Sequence, residues 1–248
     1  MKKHTVMTPL VPLLILLVGC SGSNRIEPIS KNQDEVLRSK YEVLLFNQLM
    51  TRGEWPMDKR FHLIKQMADE GFDPAALVLQ LFDIEHTDLR RNDAAAQVRL
   101  EQLAEQGNPT AQCLYAFYWD YQDRTDESGV RWRRYVIQAS DHEVARCMHM
   151  RAVSLEKGNL QKQVGLKFEA ARRGDLFAQT GMAFYYEKGV GVDKDLAKAT
   201  CWAIETRKSN TDWGRNIYQD IAYFYKQEYP SGLARLTPEF CSAAISTR

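Results

Sequence analysis

Ala171-Arg172-Arg173-Gly174-Asp175-Leu176-Phe177-Ala178 is the stretch that decides the fold. Its skeleton, Ala-x-x-Gly-x-x-x-Ala, occurs twice more, as Ala68, Gly71 and Ala75 and as Ala104, Gly107 and Ala111. A degenerate copy lies between the second and third, from Ala139 to Ala145, with the Gly replaced and one residue missing. The first alanines follow one another at 36, 35 and 32 residues. The pattern has a physical reading. The first Ala closes one helix, the Gly turns the chain out through the left-handed region, and the second Ala lets the next helix pack closely. A near-constant spacing over four copies marks a repeat architecture.

Working outward, each copy carries the content of a helical hairpin. Cys113-Leu114-Tyr115-Ala116-Phe117-Tyr118-Trp119 follows Ala111, and Met182-Ala183-Phe184-Tyr185-Tyr186 follows Ala178. These first helices end in aromatics. Second helices are expected over 93–105, 129–139, 160–172 and 195–206, with apolar residues at helical spacing, as in Val98, Leu100, Leu103 and Ala104. Before the repeats, 33–50 and 57–70 read as helices. After them, 212–226 forms a last full helix, Pro230-Ser231-Gly232 breaks it, and Thr237-Pro238-Glu239 opens a short closing helix through Ile245. Terminal elements that depart from the repeat are expected of a solenoid, whose apolar ends need caps.

Composition agrees. Fourteen Gly and eight Pro in 248 residues cannot punctuate a sandwich or barrel of many short strands, and 44% apolar residues supply a core. Lys plus Arg is 33 against 32 Asp plus Glu, which excludes a nucleic-acid protein that would rest on surplus cations. The N-terminus reads as an address. Lys2 and Lys3 precede an apolar run over 10–18, long enough for a secretory signal and too short to span a bilayer. Leu17-Val18-Gly19-Cys20 resembles the bacterial lipobox, with lipid attached to Cys20 and cleavage before it. The expected organisation is a signal peptide over 1–19, a flexible tether over 20–32, and a single repeat domain over 33–248. Ser21, rather than Asp, after Cys20 favours the outer membrane. The mature chain would carry 31 basic and 32 acidic residues and hang in the periplasm on its lipid, its one link to the membrane.

That compartment bears on Cys113, Cys147, Cys201 and Cys241, which can form two disulfides in an oxidising space. Bridging Cys201 to Cys241 would pin the closing helix and give on the order of 3–4 kcal/mol in the chain-entropy model. Cys113 and Cys147 each follow the Ala of their repeat by two positions, which places them at equivalent points of neighbouring first helices. Their bridge needs a close crossing. No C-x-x-C occurs, and His142, Cys147 and His149 do not share a helical line, so no metal is expected.

Glu187-Lys188-Gly189-Val190-Gly191-Val192-Asp193-Lys194-Asp195-Leu196-Ala197-Lys198-Ala199, behind Gly174 to Gln179, resembles a Sel-1-like repeat with its G-x-G-V-x-x-D loop. The unit from Ala104 to Ala139 resembles it less closely, and the other two lack the loop. The resemblance spans about 61–210. It implies an all-α fold, a right-handed α/α solenoid of Sel-1-like helical hairpins related to tetratricopeptide repeats, and a protein-binding role. Gly189-Val190-Gly191 follows no strand and lacks a third Gly, so it is a hairpin loop rather than a nucleotide motif, and no cofactor is expected.

No G-x-S-x-G or H-E-x-x-H occurs, so the chain reads as a non-enzyme; an enzyme acting on peptidoglycan or lipid would need a buried carboxylate pair. In architecture and address it is similar to periplasmic lipoproteins with Sel-1-like repeats that act as immunity proteins for type VI secreted phospholipase effectors. That likeness implies a cognate phospholipase toxin as partner; a scaffold or regulator of envelope assembly or signalling is the alternative. The contact surface is expected on the concave, first-helix side, with Tyr118, Trp119, Tyr121, Tyr185 and Tyr186 as aromatic anchors.

Overall fold

The computed structural model describes residues 31–50, 57–82, 93–119, 126–154, 156–209, 212–230 and 232–248. The signal peptide, Cys20, most of the tether and Tyr121 lie outside them. The described residues are all-α: α1 (Lys31–Met50), α2 (Met57–Asp69), α3 (Asp73–Leu81), α4 (Ala94–Glu105), α5 (Pro109–Trp119), α6 (Asp126–Asp141), α7 (Ala145–Ser154), α8 (Leu160–Arg172), α9 (Leu176–Lys188), α10 (Leu196–Arg207), α11 (Asp212–Glu228) and α12 (Pro238–Ser246). Each helix from α2 to α10 packs against the next in the chain, α12 closes onto α10, and α3 touches α5 as α9 does α11. That nearest-neighbour pattern is an α/α solenoid.

The turns between hairpins explain the repeat. Gly71, Gly107 and Gly174 take φ of 92°, 88° and 94°. Their N–H groups donate to Ala68, Ala104 and Ala171, and the next N–H reaches back to Met67, Leu103 and Ala170, closing each helix in a Schellman arrangement. The fourth turn corrects the sequence register. Glu143 N–H donates to Ser140 O and Val144 N–H to Ala139 O, with Glu143 at φ 64°. The copy is therefore Ser140-x-x-Glu143-x-x-x-Cys147, full in length, with first positions 36, 36 and 31 residues apart rather than 36, 35 and 32. A search for Gly missed it because a Glu occupies the left-handed position, at about 1–2 kcal/mol of backbone strain.

Helix starts follow from caps. Asp93, Asn159, Asp175, Asp195 and Thr237 each accept from a backbone N–H three residues on, and a Pro follows Thr237. The expected 129–139 helix is longer in the structure, Asp126–Asp141. Gly189 and Gly191 turn α9 into α10 at φ 73° and 69°. A Cβ on Gly191 would sit 2.7 Å from Val164 and 2.9 Å from Leu160, so the loop lies tight on the preceding repeat. The buried side chains form two blocks. One runs from Leu37 to Met150, and the other from Met148 to Ile221.

Candidate functional site

The first-helix side holds a resident. α1 reaches the start of all four hairpins that follow it. Lys40 Nζ and the Tyr41 hydroxyl donate to Glu70 at 2.7 and 2.5 Å, beside the α2–α3 turn, and these bonds, with one from Gln66, hold the Glu70 carboxyl down at about 2. Thr110 Oγ1, on the first turn of α5, donates to Glu42 Oε2 at 2.6 Å. Arg38 donates to Glu42 at 2.7 Å and to the His142 carbonyl of the α6–α7 turn. Asn47 bridges the α8–α9 turn, donating to Gly174 O at 2.9 Å and accepting from Leu176 N–H at 3.1 Å. Glu42 is buried, and that burial pushes its carboxyl up against the pull of Arg38.

Exposure along this face is uneven. Counted from the helix start, the ninth residue is Leu81 in α3, Phe117 in α5, Val153 in α7 and Phe184 in α9. Leu81 is fully buried and Phe117 is 6% exposed, with the Phe46 ring of α1 edge-on to it at 6.4 Å. Val153 and Phe184 are 41% and 40% exposed. At this position the face is closed on α3 and α5 and open on α7 and α9. It continues onto α11, where Tyr223 and Phe224 stand exposed and Lys188 of α9 lies over the Phe224 ring at 5.5 Å.

The aromatics expected to anchor a partner fall elsewhere. Tyr118 and Tyr186, 2% and 3% exposed, are core and present nothing to a partner, which corrects the expectation for both. The Tyr118 ring meets Phe82 at 5.6 Å, and its hydroxyl accepts from Gln97. Tyr186 packs in the second block. Position at a helix end does not mean exposure, because those faces of the first helices meet the second helices. Trp119 is half-buried against Tyr115 and Tyr118, and Tyr185 is half-buried and accepts from Lys167 Nζ at 2.9 Å. The exposed aromatics among the described residues that sequence reasoning passed over are Phe184, Tyr223, Phe224, Tyr229 and Phe240. A count from the turn does not find Phe184, because Leu81 and Phe117 share its position and are buried.

The structure brings both cysteine pairs together as disulfides, Cys113–Cys147 with Cα atoms 5.6 Å apart and Cys201–Cys241 at 5.1 Å. The corrected register changes the reason for the first. Cys147 takes the third helical position, that of Ala111, whereas Cys113 takes the fifth, so the bridge joins offset rather than equivalent positions of α5 and α7. Trp132 is buried and donates to Ala116 O, while Arg131 and Arg134 beside it pair with Glu101 and Glu105 of α4.

Arg146 and His149 of α7 and Lys167 of α8 gather around the buried Asp175. Arg146 lies 3.4 Å and His149 3.9 Å from its carboxylate. Burial first, then Arg146 and Lys167, hold His149 well below its ordinary range, so it stays neutral despite the Asp. Burial pushes the Asp175 carboxyl up, opposed by Arg146 and by the Ala178 and Phe177 N–H groups it caps. The cluster joins two repeats. Among the described residues no group of His, Cys, Asp and Glu has the arrangement to hold a metal ion.

No family model matches the sequence, and no curated protein matches it. Two solved structures similar to it are Sel1-repeat proteins. One is a Sel1 repeat protein from Oxalobacter formigenes, 23% identical over 55% of this chain and 57% of its own, with a TM-score of 0.46. The other is a protective antigen present in uropathogenic Escherichia coli strains that displays an SLR fold, 17% identical over 78% of this chain and 43% of its own, at 0.47. The chain spans about half the length of these structures.

Proposed function

We propose that this chain is a non-catalytic, lipid-anchored periplasmic protein that binds and neutralises a protein partner, acting as an immunity protein against a type VI secreted phospholipase effector. The observation that carries the binding role is the open half of the first-helix face, where Phe184, Tyr223 and Phe224 stand exposed on successive first helices. Exposed aromatics grouped on one face are what interfaces enrich. The address rests on Leu17-Val18-Gly19-Cys20, and the physical logic is concentration: a toxin attacking phospholipid from the periplasm meets an inhibitor tethered at that membrane.

The test places a phospholipase-D-type effector in the periplasm of cells that make the full chain or lack it. Cells with the chain are expected to survive and to keep their phosphatidylethanolamine, and Cys20→Ser to release the protein from the membrane fraction. Equal phospholipid loss with and without the chain overturns the immunity reading and leaves the envelope scaffold in its place.

A further inference from the structure

The Tyr186 ring belongs to the core and offers no surface to a protein, but its hydroxyl leads elsewhere. That hydroxyl is buried and has no hydrogen-bond partner among the described residues. Burying a hydroxyl unpaired is costly, so its surroundings call for an account. Tyr186 lines a cleft of about 600 Å³ where the α9–α10 loop meets the start of α8 and the residues that follow α12. Two cations enter this cleft from different elements. Lys198, on the first turn of α10, has its Nζ 5.2 Å from the centre of the Tyr186 ring and donates to Thr247 O at 3.3 Å. Arg248 Nη1 donates to Gln161 O of α8 at 3.5 Å. Among the described residues neither cation has a carboxylate partner; carbonyls hold both. Burial first, then the Asp195 carboxylate, push the Tyr186 hydroxyl up, and Arg248 pulls against them, so both charges lie within reach of that oxygen.

We infer that this cleft binds a phosphate group, free or as the headgroup of a phosphomonoester lipid, with Tyr186, Lys198 and Arg248 as its donors. Three donors from three parts of the chain suit a tetrahedral oxyanion. The hydroxyl takes one oxygen, the ammonium another, and the guanidinium fork the rest. A planar carboxylate offers two oxygens and leaves one donor idle. Two carboxylates line the same cleft. Asp195 caps α10, its Oδ1 accepting from Lys198 N–H at 2.9 Å, so the helix start answers its charge. Asp193 is exposed and opposes an anion. The Cys201–Cys241 bridge ties α12 to α10 and so delivers Arg248 to the cleft.

The probes are inorganic phosphate, glycerol 3-phosphate and acetate, titrated into the purified full chain by calorimetry. Phosphate should bind, raise the melting temperature of the wild type, and bind at least about tenfold more tightly than acetate. Tyr186→Phe should bind phosphate about tenfold more weakly, yet melt no lower than wild type in phosphate-free buffer, because it removes an unpaired hydroxyl. Arg248→Gln, at an exposed side chain, should weaken binding likewise and reads the same site should Tyr186→Phe fail to fold. Asp193→Asn should tighten it. Tighter binding of glycerol 3-phosphate than of phosphate assigns the site to a lipid headgroup, and the reverse order assigns it to the free anion; either supports the phosphate site. Binding that survives both Tyr186→Phe and Arg248→Gln is adventitious and overturns it, as does acetate binding equally well, Asp193→Asn binding more weakly, or no binding of either phosphate. Each of these outcomes leaves the immunity reading to its own test, which does not involve this cleft.

Discussion

His149 sits where three influences compete, and its protonation follows from their sizes. An Asp carboxylate 3.9 Å away favours the cation, but burial and the cations Arg146 and Lys167 oppose it and win. The consequence for stability has a definite sign. The folded pKa lies below the ordinary value of about 6.5, so below that pH the unfolded chain binds more protons than the folded one. The stabilising effect is complete above about pH 6.5 and is lost as pH falls toward the folded value, at no more than about 1.4 kcal/mol per pH unit. Denaturant midpoints of wild type and His149→Gln between pH 7.5 and 5.5 should therefore converge as the pH falls, because the variant lacks that slope. Parallel curves would mean that His149 titrates alike folded and unfolded. None of this was legible in the sequence, where His149 reads as one helical histidine among several; Asp175 lies 26 residues away and arrives through the α8–α9 turn. The turn residues were legible, since a Gly in the pattern announces its own backbone conformation, whereas Glu143 announces nothing.

At the scale of elements, α1 and α12 are the two attachments to a repeat frame, and each is held in a testable way. Gly174 and Gly107 both need the left-handed region, but a Cβ on Gly174 would also meet Val43 of α1 at 3.2 Å, while nothing lies within 4 Å of one on Gly107. Gly107→Ala should cost about 1–2 kcal/mol from backbone strain alone, and Gly174→Ala measurably more in the same urea titration. Equal losses would show that α1 yields at no cost. α12 buries little beyond Cys241, so its attachment rests on the bridge to Cys201, which closes 40 residues. Cys241→Ser should lose about 4 kcal/mol in the chain-entropy model and expose the C-terminus to protease, as reduction of the wild type should. Free thiol at Cys241 in non-reducing peptide maps would remove that account. Helix positions themselves were readable from apolar spacing and caps. The seat of α1 was not, because the sequence shows that 33–50 is helical but not that Glu42 meets Thr110, 68 residues on.

Across the whole molecule, stability in a nearest-neighbour solenoid is close to a sum over repeats and their interfaces, so a long one can open from an end without unfolding throughout. Here the core falls into two blocks that meet at α7 and α8, with the open half of the first-helix face mostly in the second. α1 belongs to the first block through Leu45, Phe46 and Leu49, yet its Asn47 holds both a carbonyl and an N–H of the α8–α9 turn in the second. It therefore acts as a strut between blocks that would otherwise open separately. Asn47→Ala removes that pair of hydrogen bonds, at about 0.5–1.5 kcal/mol each, without touching either core. Native-state hydrogen exchange on the wild type should show amides of α5 and α9 opening with similar free energies. In Asn47→Ala, amides of α9 and α10 such as Met182 and Trp202 should lose about 1–3 kcal/mol of protection while Leu114 and Ala116 in α5 keep theirs. A uniform loss in both blocks would mean that the solenoid unfolds as one unit and that α1 is only one more layer of its core.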